Sequence, residues 1–190
     1  MSKIITTTWV SLDGFIAGPN GEMDWVIVDD EMGQYEFDVV SAADTLLLGR
    51  ITYQSFAGSW PFVPDNPNAS EGEKAYARML NAMRKIVFSK TLPSVEWNNS
   101  SLLKEVLPAE IAKLKQESAR DMLIYGSASI VQALTNHGLI DEYQVLVHPV
   151  VLGGGKPLFR DIKERQKLKL VKTKAFPSGV IGLYYQPDNQ

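Results

Sequence analysis

The stretch Asp121-Met-Leu-Ile-Tyr-Gly-Ser-Ala-Ser-Ile-Val-Gln-Ala-Leu134 decides the fold of this chain. Met122 to Tyr125 is an apolar run of strand length, Gly126 interrupts it, and Ser127 to Asn136 has helical spacing. His137-Gly138 then supplies a C-terminal stop. Small residues at a strand-to-helix junction leave backbone N–H groups open above the strand end. The first turn of a helix has unpaired donors and the positive end of a dipole, so such a junction can hold a phosphate. A tight turn without a ligand is the other reading, and one junction alone does not separate the two.

A second junction of the same kind lies upstream. Thr45-Leu-Leu-Leu48 predicts a short buried strand, and Gly49-Arg50-Ile-Thr52 opens a helix from Thr52 to Phe56. In a parallel α/β sheet, ligands gather beyond the carboxyl ends of strands where strand order reverses. Two helix N-termini side by side there would clamp a pyrophosphate. Arg50 adds a permanent charge, and the Thr52 and Ser127 hydroxyls add hydrogen bonds. A third strand end, Phe88-Ser89-Lys90, offers a hydroxyl and an ammonium for a further phosphate. Taken singly, Arg50 and Lys90 also read as solvated charges near strand ends.

Working outward, Ile4 to Val10 predicts a first strand and Ser11 to Gly21, with its three glycines and a proline, a long irregular loop. Asp30 to Ala43 suits a helix with one apolar face, Ser59 to Gly72 an extended loop, and Glu73 to Met83 a helix. Arg84 to Phe88 is a strand, Ala109 to Glu117 a helix, and Glu142 to Val151 a long strand broken by Pro149. Gly153-Gly-Gly155-Lys156 lies between strands with no helix following, so it reads as a flexible loop. Lys167 to Lys174 and Val180 to Gln186 face each other across Pro177-Ser-Gly179 as a hairpin. Residues 1–190 are therefore expected to form one α/β domain. Its sheet should be mostly parallel, with antiparallel strands at the C-terminal end.

Composition narrows the function classes. The chain has 190 residues, 45% of them apolar and 22% charged, with a net charge of −3. That balance argues against a nucleic-acid binder, which normally carries a basic excess. With no cysteine there is no thiol nucleophile or thiolate metal site. The only histidines, His137 and His148, have no carboxylates at ligand spacing, so no metal is expected. Neither a signal peptide nor an apolar run long enough to span a membrane is seen, and a cytoplasmic location is expected. The Gly-x-Gly-x-x-Gly, P-loop and Gly-x-Ser-x-Gly patterns are all absent.

Four segments in order carry a resemblance: Ser11-Leu-Asp-Gly14-Phe-Ile-Ala, Leu48-Gly49-Arg50-x-Thr52-Tyr53, Val87-Phe88-Ser89-Lys90 and Ile124-Tyr-Gly126-Ser. The arrangement resembles the dihydrofolate reductase-like superfamily, across nearly the whole chain. Gly138-Leu-Ile-Asp141-Glu142-Tyr, followed by His-Pro149-Val-Val-Leu152-Gly153-x-Gly155-x-Pro-Leu158-Phe159, is more specific. It is similar to the reductase domain of the bifunctional riboflavin-biosynthesis deaminase–reductase. No deaminase segment with zinc ligands precedes it here, so a stand-alone relative is expected.

The resemblance implies a dihydrofolate reductase-like fold with helices on both faces of a twisted sheet. It also implies NADPH as cofactor and hydride transfer to a small flat nitrogen heterocycle. The activity would be like that of dihydrofolate reductase or of 5-amino-6-(5-phosphoribosylamino)uracil reductase. Matching segments place Gly49, Arg50 and Thr52 near the cofactor phosphates and Ser89 and Lys90 at its adenosine end. Gly126, Ser127, Ala128 and Ile130 follow the pyrophosphate, and the loop with Gly14 and Phe15 covers the nicotinamide.

Folate reductases have a Gly-Gly pair joined by a cis peptide where this chain has Gly126-Ser127; a cis bond without proline costs about 2.5–4 kcal/mol. The sequence leaves that isomer open. They also use one carboxylate on the helix after the first loop to deliver a proton, and Asp30 is the candidate here, although an Asp at a helix start also serves as a cap. Trp9, Trp25 and Tyr53 are candidates for stacking on the substrate, although such residues more often serve as core. A homodimer through Glu142 to Val151 is expected by the same resemblance. The alternative function is a nucleotide-binding or sensing module that keeps the cleft without turnover.

Overall fold

A computed structural model describes residues 2–188. The first strand, β1 (Ile4–Ser11), runs into a short β2 (Phe15–Ala17) and then helix α1 (Asp30–Ala42). β3 (Ala43–Gly49) passes directly into α2 (Arg50–Ala57), a 3-10 turn (Trp60–Asp65) and α3 (Glu71–Ala82). β4 (Arg84–Phe88), β5 (Ser100–Leu103), α4 (Pro108–Glu117), β6 (Asp121–Tyr125) and α5 (Ala128–Asn136) follow. β7 (Glu142–His148), β8 (Lys156–Pro157), β9 (Leu168–Ala175) and β10 (Ile181–Pro187) complete the chain.

Eight strands form one sheet in the order β5-β4-β3-β6-β1-β7-β10-β9. The pairs from β5 to β7 are parallel, and β10 pairs antiparallel with both β7 and β9. Two-residue alternation divides the core cleanly between the faces. Leu47, Ile86, Met122 and Ile124 point to the face covered by α4 and α5, through Ile111, Leu114, Ile130, Val131 and Leu134. Leu46, Leu48, Val87 and Leu123 point to the other face, against Val40 of α1, Tyr53 of α2 and Leu80 of α3. These side chains are nearly all fully buried, so truncating any leucine among them to alanine costs about 2–5 kcal/mol.

The α/β class, the mostly parallel sheet and the antiparallel C-terminal strands agree with the sequence expectation. Some local features differ. The segment predicted as a long strand to Val151 ends at His148, because Pro149 has no N–H to continue the ladder. Both edges of that strand are filled, by β1 and β10, so Glu142–His148 offers no free edge to a second copy. Instead of a free loop, the Gly153–Gly155 turn leads into β8, which pairs with β2. β5 was not expected; it is a four-residue edge strand, half exposed. On β4, Lys85 is fully buried with no carboxylate partner among the described residues. Its Nζ donates to the carbonyls of Asn81 (2.8 Å) and Asn98 (2.9 Å) and lies 4.1 Å from the Trp97 ring centre. Burial pushes its ammonium down to about 8. All described peptide bonds are trans, including Gly126–Ser127.

Candidate active site

β6 lies between β1 and β3, although it follows both in sequence by a long stretch. The helix leaving β3 packs on one face and the helix leaving β6 on the other. The carboxyl ends of these strands therefore frame a crevice where strand order reverses, the usual ligand position in open α/β sheets. The crevice is a cleft of about 1070 Å³.

The two strand–glycine–helix junctions meet at its floor through one side chain. The buried Ser127 hydroxyl accepts the Gly49 N–H at 2.8 Å and donates to Thr52 Oγ1 at 2.9 Å. A Cβ on Gly49 would stand 3.1 Å from that hydroxyl and 3.0 Å from Ser129 Oγ, so any side chain there would press on both hydroxyls at the junction. Gly126 has φ +62°, the left-handed region, and a Cβ there would meet no atom within 4 Å; it would point into open space. Among the described residues no side chain caps α2 or α5, so their N-terminal ends open on the cleft without a side-chain partner.

Around this floor the cleft brings together Gly49, Arg50, Thr52, Ser89 and Lys90 with Gly126, Ser127 and Ala128. Arg50 Nη1 donates to Gln54 one turn along α2 at 3.0 Å, and Lys90 makes a loose, exposed 3.6 Å pair with Glu105. Both cations are therefore available at the rim. The Ser89 hydroxyl accepts the Thr91 and Leu92 N–H groups, shaping the turn after β4.

Other expected residues fall elsewhere. Ile130 is buried in the core beneath α5, and Gly14 and Phe15 form the turn that delivers Ile16 and Ala17 to the cleft wall. Trp9 lines the cleft, but Trp25 packs edge-on against the buried His148, ring centres 5.3 Å apart. Tyr53 faces away from the cleft. It is buried, and its hydroxyl accepts the N–H groups of Glu96 (2.9 Å) and Trp97 (3.1 Å) beside a separate hollow of about 600 Å³.

Asp30 is exposed in the first turn of α1 and does not line the cleft. Its neighbour Asp29 is the cap, accepting the Met32 N–H, and it also accepts the Ser178 N–H. Two carboxylates line the cleft, the exposed Glu73 at the start of α3 and Glu36 in the middle of α1. Glu36 Oε1 is buried with no hydrogen-bond partner among the described residues. Burial pushes the carboxyl up to about 7, opposed by the Tyr125 hydroxyl and the Trp9 indole beside it. Glu36 left a trace in the sequence. It stands four residues after Met32 and four before Val40, both fully buried, so an acid sits on the apolar stripe of an amphipathic helix.

Comparison with known proteins places this geometry. Residues 2–182 match the profile of the RibD C-terminal domain. The chain is similar to the Bacillus subtilis protein YyaP, 39% identical over 96% of this chain and 94% of the relative. It superimposes on a candidate riboflavin biosynthesis protein from Shewanella sp. PV-4 with a TM-score of 0.77, at 24% identity and complete coverage of both chains. Dihydrofolate reductase from Enterococcus faecalis, solved with NADP(H), shares the fold at a TM-score of 0.63, 15% identity, covering 98% of this chain and 97% of that one. Among the described residues no helix is long and apolar enough to cross a membrane.

Proposed function

The chain belongs to the RibD C-terminal domain family, and on that premise we propose that it is an NADPH-dependent reductase of a small flat nitrogen heterocycle, pyrimidine- or pteridine-like. The observation that carries the reading is the pair of uncapped helix N-termini that open on one cleft and are tied by the Ser127 hydroxyl. The residues fit the cofactor. The uncapped N-termini of α2 and α5, with Arg50 and Lys90, suit phosphates, and Gly126 lets backbone approach without a side chain in the way.

NADPH, when bound, supplies the hydride. This chain's residues hold it, align the acceptor, exclude water and deliver a proton. Glu36 takes the proton-delivering role in place of Asp30, because it alone of the two lines the cleft. A carboxyl raised to about 7 is substantially protonated at neutral pH and can give up that proton to a reduced ring. Trp9 is kept as a substrate-stacking residue. A homodimer remains part of the proposal, with its contact moved to β9, the free sheet edge nearest β7; a strictly monomeric species at micromolar concentration would remove it.

The test is a fluorescence titration with NADPH, followed by a heterocycle screen monitored by loss of nicotinamide absorbance. Wild-type protein that fails to bind NADPH ends this reading. Binding that survives without oxidation by any heterocycle favours the sensing module instead.

A further inference from the structure

We propose that the acceptor taken by this cleft is an unphosphorylated heterocycle carrying no net negative charge. The proposal rests on the reductase reading and narrows its substrate class. It sets the chain apart from the phosphoribosyl-pyrimidine reductase that its motifs resemble.

The cleft divides chemically into two ends. Its two rim cations at strand ends, Arg50 and Lys90, follow β3 and β4, beside the bare N-terminus of α2. The other wall comes from α1, the 3-10 turn and α3, and it carries two carboxylates, Glu36 and Glu73, with no lysine or arginine. A phosphate ester brings a charge of about −1.5 to −2 at neutral pH and is held in proteins by arginine, lysine or free backbone N–H groups. On this wall it would face carboxylates instead. One further cation, Lys156, borders the cleft, but it is exposed and attracted to Glu22 on the outer loop.

What the wall offers in place of cations is aromatic surface. Phe37 and Tyr76 lie 6.5 Å apart between ring centres, Tyr76 and Trp60 5.2 Å, and Trp60 and Phe56 6.3 Å, so the rings run on continuously. Such a lining accepts the face of a flat ring and attracts positive charge. Within it, the buried Glu36 Oε1 lacks a donor among the described residues. A ring N–H or an amino group satisfies that oxygen, whereas a phosphate or carboxylate leaves it unpaired and repelled.

The test uses NADP⁺-loaded protein and two matched pairs, neopterin with its monophosphate and cytidine with its monophosphate. Binding is measured calorimetrically at about pH 8, where Glu36, at about 7, is mainly charged. At least one unphosphorylated member is expected to bind, and about tenfold or more tighter than its phosphate. Equal or tighter binding of the phosphate overturns the proposal. So does binding of neither member of either pair by protein that holds NADP⁺, an outcome that leaves the cofactor reading standing. Failure to hold NADP⁺ removes both. In Glu36→Gln the preference within the pair is expected to shrink by about threefold or more. An unchanged ratio overturns Glu36 as the discriminating charge.

Discussion

Helices α1 and α3 begin under their own side chains, whereas α2 and α5 begin bare. Asp29 accepts the Met32 N–H at 2.8 Å, and Ser70 with Glu73 forms a reciprocal capping box. Gly49 has no side chain to offer, and the Ser127 hydroxyl is turned away from its own helix to bind Gly49 and Thr52. Omitting a cap costs about 1 kcal/mol at each helix. The two bare starts meet at the cleft floor, whereas α4, which also lacks a side-chain cap, begins at Leu107 with a proline next and lies outside the cleft. Local exceptions of this kind mark functional positions in a sequence that otherwise agrees with its fold.

The largest effect is expected at a bare end. Gly126→Asp places a Cβ at φ +62° and a negative charge where phosphates are proposed to sit. NADPH affinity should fall by about 100-fold or more in a fluorescence titration. A change below about threefold would break the distinction between the two kinds of helix start.

The next effect tests a helix that is capped yet contributes to the cleft from its middle. With the Glu36 carboxyl at about 7, kcat/KM for heterocycle reduction should fall roughly tenfold per pH unit above that value. Glu36→Gln should lower the rate and flatten that limb. The same group affects stability. Its folded pKa is raised from 4.5 to about 7, so its contribution is fully present below 4.5 and is lost as pH rises through about 7. Above that pH, denaturant unfolding should find Glu36→Gln more stable than wild type.

Ser127→Ala sharpens the contrast from the structural side. It leaves the buried Gly49 N–H without its acceptor, which should cost about 1–3 kcal/mol in denaturant unfolding and weaken NADPH about tenfold. The smallest effect is expected at a capped end. Ser70→Ala should lose about 1 kcal/mol of stability with NADPH affinity unchanged within about twofold. Cofactor binding that fell with the cap would erase the division.

The stretch from Asp121 to Leu134 was legible because its apolar run, glycine and helical spacing each make a local statement, and all three agree. The site's floor followed from two such stretches. Their physical link did not: Ser127 Oγ meets Gly49 across 78 sequence positions, and only the strand order brings them together. Asp30 drew attention as an acid at a helix start, but that location is exposed. Glu36 was hidden by the same helix's run of acids, although its phase with Met32 and Val40 puts it inward. Tyr53 sits one position after Thr52, and the helical turn of about 100° per residue swings it from the cleft to the opposite core. β5 escaped because a short, half-exposed edge strand carries too few apolar residues to show a period.

The position of β1 has a consequence for how the chain is made. It is synthesised long before either of its partners: Ile4 pairs with Met122, and Ile5 with Glu142. Until those partners emerge, a β-branched strand waits with both edges unmatched, an opening for pairing between nascent chains. Closing the sheet's centre requires loops of more than a hundred residues, so assembly should be slow and most exposed to misassociation during translation.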